Sequence, residues 1–152
     1  MINKKKQGKK NKAAGTRFEL KVRKDLESSG WIVSKWMNNI ELAKENSLDV
    51  VGIPIEDGKF LYGKLIPAKH KFRGTGIPMA IGTGFPDFIA FRGISGSAIP
   101  KEVIGVEVKS NDYLDKSERE KCKWLLENYI FSKILIASKG TKRGQIAYKE
   151  FK

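Results

Sequence analysis

The sequence predicts an α/β (or α+β) fold in which a central mixed β-sheet is flanked by two helices. Three observations carry that expectation. Two segments, 16–29 and 115–129, repeat apolar residues at helical spacing, while 31–36, 85–91, 103–109, 134–137 and 145–148 are short apolar runs of strand length. Their order is helix, strand, loops, strand, strand, helix, strand, strand, which layers helices against a sheet. A length of 152 residues, 40% of them hydrophobic, suits one domain with its own core.

Residues 1–15 carry Lys4, Lys5, Lys6, Lys9, Lys10 and Lys12 without an acid. They read as a disordered basic arm closed by Gly15. Residues 16–152 read as the single folded domain. Thr16 is the first candidate N-cap, with Glu19 three residues on as its capping-box partner. The helix it starts runs to about Ser29 and stops at Gly30. Phe18, Val22 and Leu26 form its buried stripe. Glu19 lies about 60° from the centre of that stripe at 100° per residue, so it can look into the protein from the edge of the core. Asp25 lies on the other flank and could take its place. Residues Trp31 to Trp36 suit a strand.

Residues 37–84 hold seven of the fifteen glycines and three of the five prolines. That argues for turns and short strands, an irregular insertion within the domain. A short helix at about 39–47 and a hairpin around Glu56-Asp57-Gly58 are its expected elements. Phe85 to Phe91 is an apolar run interrupted only by Pro86-Asp87. After a loop with Gly93, Ser95, Gly96 and Ser97, a strand runs from Val103 to Lys109. Asp115-Lys116-Ser117-Glu118 is a capping-box start, and Cys122, Leu125, Leu126 and Tyr129 continue the helix at i, i+3, i+4, i+7. Ile134 to Ala137 suits a buried strand, and Gln145 to Tyr148 an edge strand after the turn at 139–144.

The net charge is +13 and the pI about 9.8. Without the six N-terminal lysines, 24 basic residues still face 17 acids, a balance of +7. A polyanion is the expected partner, nucleic acid before an acidic membrane surface. No apolar run is long enough to span a bilayer, and no signal-peptide core follows the first lysines. One cysteine, Cys122, excludes a disulfide framework and a Cys-rich zinc site. One histidine, His70, excludes a His-clustered metal site and argues against His-based nucleophilic catalysis. The composition fits a cytoplasmic or nucleoid-associated protein, including one in a virus-infected cell. Any chemistry must run on carboxylates and lysines, with or without a hard metal ion.

Two strands carry acids that a core alone does not explain. Side chains alternate along a strand, so Glu107 and Lys109 share one face and Val106 and Val108 the other. Asp87 opens the preceding strand behind Pro86, which favours an extended approach. If those strands are neighbours, Asp87, Glu107 and Lys109 converge at one end of the sheet. Two carboxylates there repel unless a cation sits between them or one takes a proton. Oxygen ligands of this kind suit Mg²⁺ or Mn²⁺. A lysine beside them can orient water and offset charge on a transferring phosphoryl group.

Pro86-Asp87, nineteen intervening residues and Glu107-Val108-Lys109 resemble the signature of the PD-(D/E)xK nucleases. Thr16 to Gly30 resembles the first helix of that superfamily, with Glu19 at its acidic position. Gly105 to Ser110 is most similar to archaeal Holliday-junction resolvases and VRR-NUC-like nucleases. The resemblance covers 15–36 and 84–149; residues 37–84 exceed what minimal resolvases place there. It implies a restriction-endonuclease-like core and Mg²⁺-dependent hydrolysis of DNA. Asp87 and Glu107 would ligate the metal with the carbonyl of Val108, Lys109 would position the water, and Glu19 would complete the acidic site. A homodimer is expected by analogy, because a four-way junction presents two equivalent strands.

Other readings stand beside this one. A VRR-type or restriction-type nuclease would act on other DNA, and a non-catalytic nucleic-acid-binding module would share the same charge. Glu19 could serve only as a helix cap. Lys69, Lys71 and Arg73, interleaved with His70 and Phe72, suit a backbone-contacting patch or a solvated loop. The N-terminal lysines would add salt-sensitive affinity. Asp49, Asp57 and Asp112 read as turn residues, and Cys122 and Trp124 as packing. Gly82-Thr83-Gly84 is not a phosphate loop, since no Gly-Lys-Ser/Thr follows.

Overall fold

Helix α1 spans Lys4–Ser28 in the computed structural model, which describes residues 4–43, 49–68, 71–72, 78–79, 84–93 and 102–152. The basic stretch is therefore the first half of the helix, where an irregular arm is expected. It contains no proline, and Lys, Gln and Ala propagate a helix readily once the packed half has nucleated it. Residues 7–17 are exposed throughout. Thr16 is consequently mid-helix, not an N-cap: its hydroxyl donates to the Lys12 carbonyl at 3.1 Å. The helix ends as the sequence requires. Gly30 takes φ +84°, its N–H meets the Glu27 carbonyl at 3.1 Å, and the Trp31 N–H meets that of Leu26 at 3.1 Å. This is a Schellman turn, closed by Trp31 packing in the same cluster as Leu26.

The remaining elements are β1 (Ile32–Lys35), β2 (Asn38–Ala43), β3 (Val51–Pro54), a 3-10 turn (Glu56–Gly58), β4 (Phe60–Pro67), β5 (Lys71–Phe72), β6 (Pro78–Met79), β7 (Phe88–Arg92), β8 (Glu102–Val108), α2 (Lys116–Glu127), β9 (Lys133–Lys139) and β10 (Ile146–Glu150). Among the described residues the strands form a five-stranded sheet ordered β1-β7-β8-β9-β10, a three-stranded sheet β2-β4-β3 and the pair β5-β6. The main sheet is mixed: β8 and β9 run parallel, joined through α2, and the other neighbours are antiparallel. The two helices cover its two faces. Phe18, Val22 and Leu26 of α1 pack on Val33, Phe88, Ala90, Ile104, Val106 and Ala137. Cys122, Trp124 and Leu125 of α2 pack on Ile134 and Ile136 from the other side. Strand alternation sends Ile104 and Val106 towards α1. It leaves Gly105, Glu107 and Lys109 for the side of α2.

The described residues within 37–84 are more regular than expected. The short helix at 39–47 is replaced by β2, with 44–48 outside the described residues. Ile40 pairs opposite Leu65 and buries its side chain with Ile53 against α2, a pairing that outweighs weak local preference. The hairpin at Glu56-Asp57-Gly58 is present, with Asp57 at φ +62° and Gly58 at φ +67°. Trp124 fastens this sheet to α2, its indole N–H donating to the Val51 carbonyl at 2.9 Å. Gly63 makes room for it, since a Cβ there would stand 3.0 Å from the indole nitrogen.

Helix α2 starts on the complete capping box: the Asp115 carboxylate accepts from Glu118 N–H, and the Glu118 carboxylate accepts from Asp115 N–H. Tyr129 departs from the expected stripe. The chain leaves the helix at Asn128, and Tyr129 takes φ +55° with its side chain 91% exposed. Among the described residues no helix is long and apolar enough to cross a membrane.

Candidate active site

Backbone register builds the site. The last β7–β8 pair is Phe88↔Val106, so the next step places Asp87 opposite Glu107. The Asp87 N–H donates to Glu107 Oε2 at 3.1 Å, and the Val108 N–H donates to Asp87 Oδ2 at 3.0 Å. On the other edge β1 pairs Lys35 with Phe88, and the Trp36 N–H donates to the Asp87 carbonyl at 3.1 Å. Asp87 is thus held between two strands far apart in sequence. Gly105 keeps the backbone behind it close: a Cβ there would stand 2.8 Å from the Pro86 ring.

Glu107 and Lys109 share a face, with Lys109 Nζ 3.4 Å from Glu107 Oε1. Lys109 also donates to Glu118 Oε1 in a short contact. Glu118 therefore serves twice, through Oε1 to the lysine and through Oε2 to Asp115 N–H at 3.0 Å. Glu19 enters from α1. Its Oε2 lies 3.1 Å from Lys35 Nζ, and the same nitrogen lies 3.1 Å from Asp87 Oδ1. Because α1 begins twelve residues before Thr16, Glu19 is not the partner of an N-cap. Asp25 goes elsewhere: its carboxylate accepts from Tyr148 OH at 2.7 Å, on the opposite edge strand.

The electrostatics follow from this crowding. Glu107 is buried, and burial first, then the Asp87 charge, push its carboxyl up to about 8, with Lys109 pulling the other way. Burial works against the Lys35 charge, but Asp87 and Glu19 outweigh it and hold the ammonium above its ordinary range. Lys109 behaves alike: Glu118 and Glu107 outweigh its burial. Burial, then Glu107 and Glu118, push the Cys122 thiol up, so it stays a neutral packing group.

Asp87 and Glu107 offer hard carboxylate oxygens whose mutual repulsion a cation would relieve, which fits Mg²⁺ chemically. Val108 meets Asp87 through its N–H. Among the described residues no group of three or more His, Cys, Asp or Glu side chains is arranged to hold a metal ion. The third acid, Glu19, meets Asp87 through Lys35, whose Nζ lies 3.1 Å from an oxygen of each.

The other candidate residues lie apart. Lys9, Lys10 and Lys12 are exposed on α1, and Lys4, Lys5 and Lys6 form its first turn. Lys71 pairs opposite Met79 in β5–β6. Lys69 and Arg73, like His70 and Gly82-Thr83, lie outside the described residues. Two residues of the site escape sequence reasoning. Lys35 had a signal, a lysine alternating with Trp31 and Val33 onto the buried face of a strand. Glu118 was visible only as a cap. No family model, curated protein or solved structure matches the chain.

Proposed function

We propose that this chain is a metal-dependent DNA endonuclease with a restriction-endonuclease-like core, hydrolysing phosphodiester bonds and selective for branched DNA. The observation that carries the reading is the meeting of Asp87, Glu107 and Lys109, with Asp87 N 3.1 Å from Glu107 Oε2 and Lys109 Nζ 3.4 Å from Glu107 Oε1. Asp87 and Glu107, with the main-chain carbonyl of Val108, would hold Mg²⁺ or Mn²⁺, which supplies Lewis-acid polarisation and water activation when bound. Lys109, fixed by Glu118, orients the attacking water and offsets charge growing on the phosphoryl oxygens. Lys35 holds Glu19 against Asp87 and keeps that carboxylate aimed. The exposed lysines of α1 draw the phosphate backbone towards a site that is itself acidic. A homodimer would serve a substrate with two equivalent strands.

A second reading, a non-catalytic nucleic-acid-binding module, is favoured by the lack of a three-acid metal group among the described residues. One experiment separates the two: cleavage of branched, duplex and single-stranded DNA with and without Mg²⁺, for wild type, Asp87→Asn and Lys109→Ala. The nuclease reading expects Mg²⁺-dependent cleavage lost in both variants with DNA binding retained. Equal turnover by Asp87→Asn would remove the site. Binding without cleavage of any DNA, in Mg²⁺ or Mn²⁺, would leave the binding module. Preference for duplex over branched DNA would point to a VRR-type or restriction-type enzyme.

A further inference from the structure

The geometry points to Lys35 as a built-in cation: its ammonium holds the place between Glu19 and Asp87, so that the site takes one divalent ion, at Asp87 and Glu107, and not two. The inference rests on the metal-dependent reading of the site. Lys35 Nζ stands 3.1 Å from Glu19 Oε2 and 3.1 Å from Asp87 Oδ1. A second divalent ion shared by those two oxygens would lie about 2.0–2.1 Å from each, inside the volume of the ammonium. The lysine is also well held. Its backbone is in register with Phe88, its nitrogen sits 4.9 Å from the centre of the Phe88 ring, and its side chain is 33% exposed.

Charge counting agrees with the geometry. The connected carboxylates are Glu19, Asp87, Glu107 and Glu118, and the ammoniums are Lys35 and Lys109. With Glu107 deprotonated, as ligation of a cation requires, the cluster carries two negative charges in excess, which one divalent cation neutralises. Replacing Lys35 by a neutral residue frees Glu19 and one oxygen of Asp87. A second cation then has both the ligands and the charge to bind.

The test is the number of Mn²⁺ ions bound by the full chain without DNA, measured by electron paramagnetic resonance and by calorimetry. Wild type should bind one ion, Lys35→Met two, and the double variant Lys35→Met/Glu19→Gln one again. Lys35→Arg should stay at one, because it keeps the charge. Lys35→Gln, which keeps a hydrogen-bond donor, should gain the same second ion and serves where Lys35→Met does not fold. Two ions on wild type would overturn the inference without any variant. One ion on both wild type and a folded neutral variant would overturn it while leaving the metal-dependent reading intact. No ion on either would overturn both.

Discussion

Replacing Glu107 by glutamine removes a buried carboxylate while keeping its shape, and its effect on stability should depend on pH. Burial and Asp87 push the Glu107 carboxyl up to about 8 from an ordinary value of 4.5. In that window the folded chain holds a proton that the unfolded chain has released. Wild-type stability therefore falls as pH rises from about 4.5 to about 8, and is flat on either side as far as this group is concerned. Each pH unit across the window costs about 1.4 kcal/mol, a ceiling on the order of 4–5 kcal/mol. Lys109, 3.4 Å from Oε1, already pulls the carboxyl down, and that pull is contained in its position near 8. A difference of a few kcal/mol, below the ceiling, is therefore expected at pH 8. Glutamine keeps an acceptor for the Asp87 N–H, so the two chains should agree within about 1 kcal/mol at pH 5. The assay is urea unfolding followed by tryptophan fluorescence at pH 5, 6.5 and 8 in chelator. Added Mg²⁺ should stabilise wild type at pH 8 and the variant much less. A difference that stays constant with pH, or a variant less stable than wild type at pH 8, would refute the account of Glu107 as a carboxylate that destabilises the fold when ionised.

Gly105→Ala should cost about 1–3 kcal/mol, because its Cβ would stand 2.8 Å from the Pro86 ring and 3.1 Å from Phe131 with little room for either to move. It should also lower single-turnover cleavage, since Pro86 carries Asp87; an unchanged urea midpoint would refute the packing argument. Deleting residues 1–12 removes six lysines and the start of α1, which is exposed over residues 7–12. A salt titration of binding should show the slope of log affinity against log salt fall by up to about five. Cleavage at saturating DNA and low salt should survive, and its loss in a folded truncation would place those residues inside the active complex.

Elements whose reasons are local were legible in the amino-acid order. The capping box at Asp115 and Glu118, the Schellman stop at Gly30 and the alternation of Glu107 with Lys109 need only neighbours within a few residues. The stripe of Phe18, Val22 and Leu26 is likewise a matter of helical period, and it indicated that Glu19 could face inward. The extent of α1 was not legible. Low apolar content argued for a disordered arm, but helix propagation from a packed half needs no burial of its own. Strand β2 is not legible as a strand locally, because its partner, β4, is some twenty residues away. The site divides along the same line. The sequence by itself determined which carboxylates and lysines were available and which strand faces they occupy. Only the tertiary structure decided that Glu19 meets Lys35 while Asp25 meets Tyr148, and that Lys109 is shared by Glu107 and Glu118. Those choices depend on sheet order and on how α1 and α2 seat on opposite faces. They are set by burial summed over the whole core, which no local window of sequence contains.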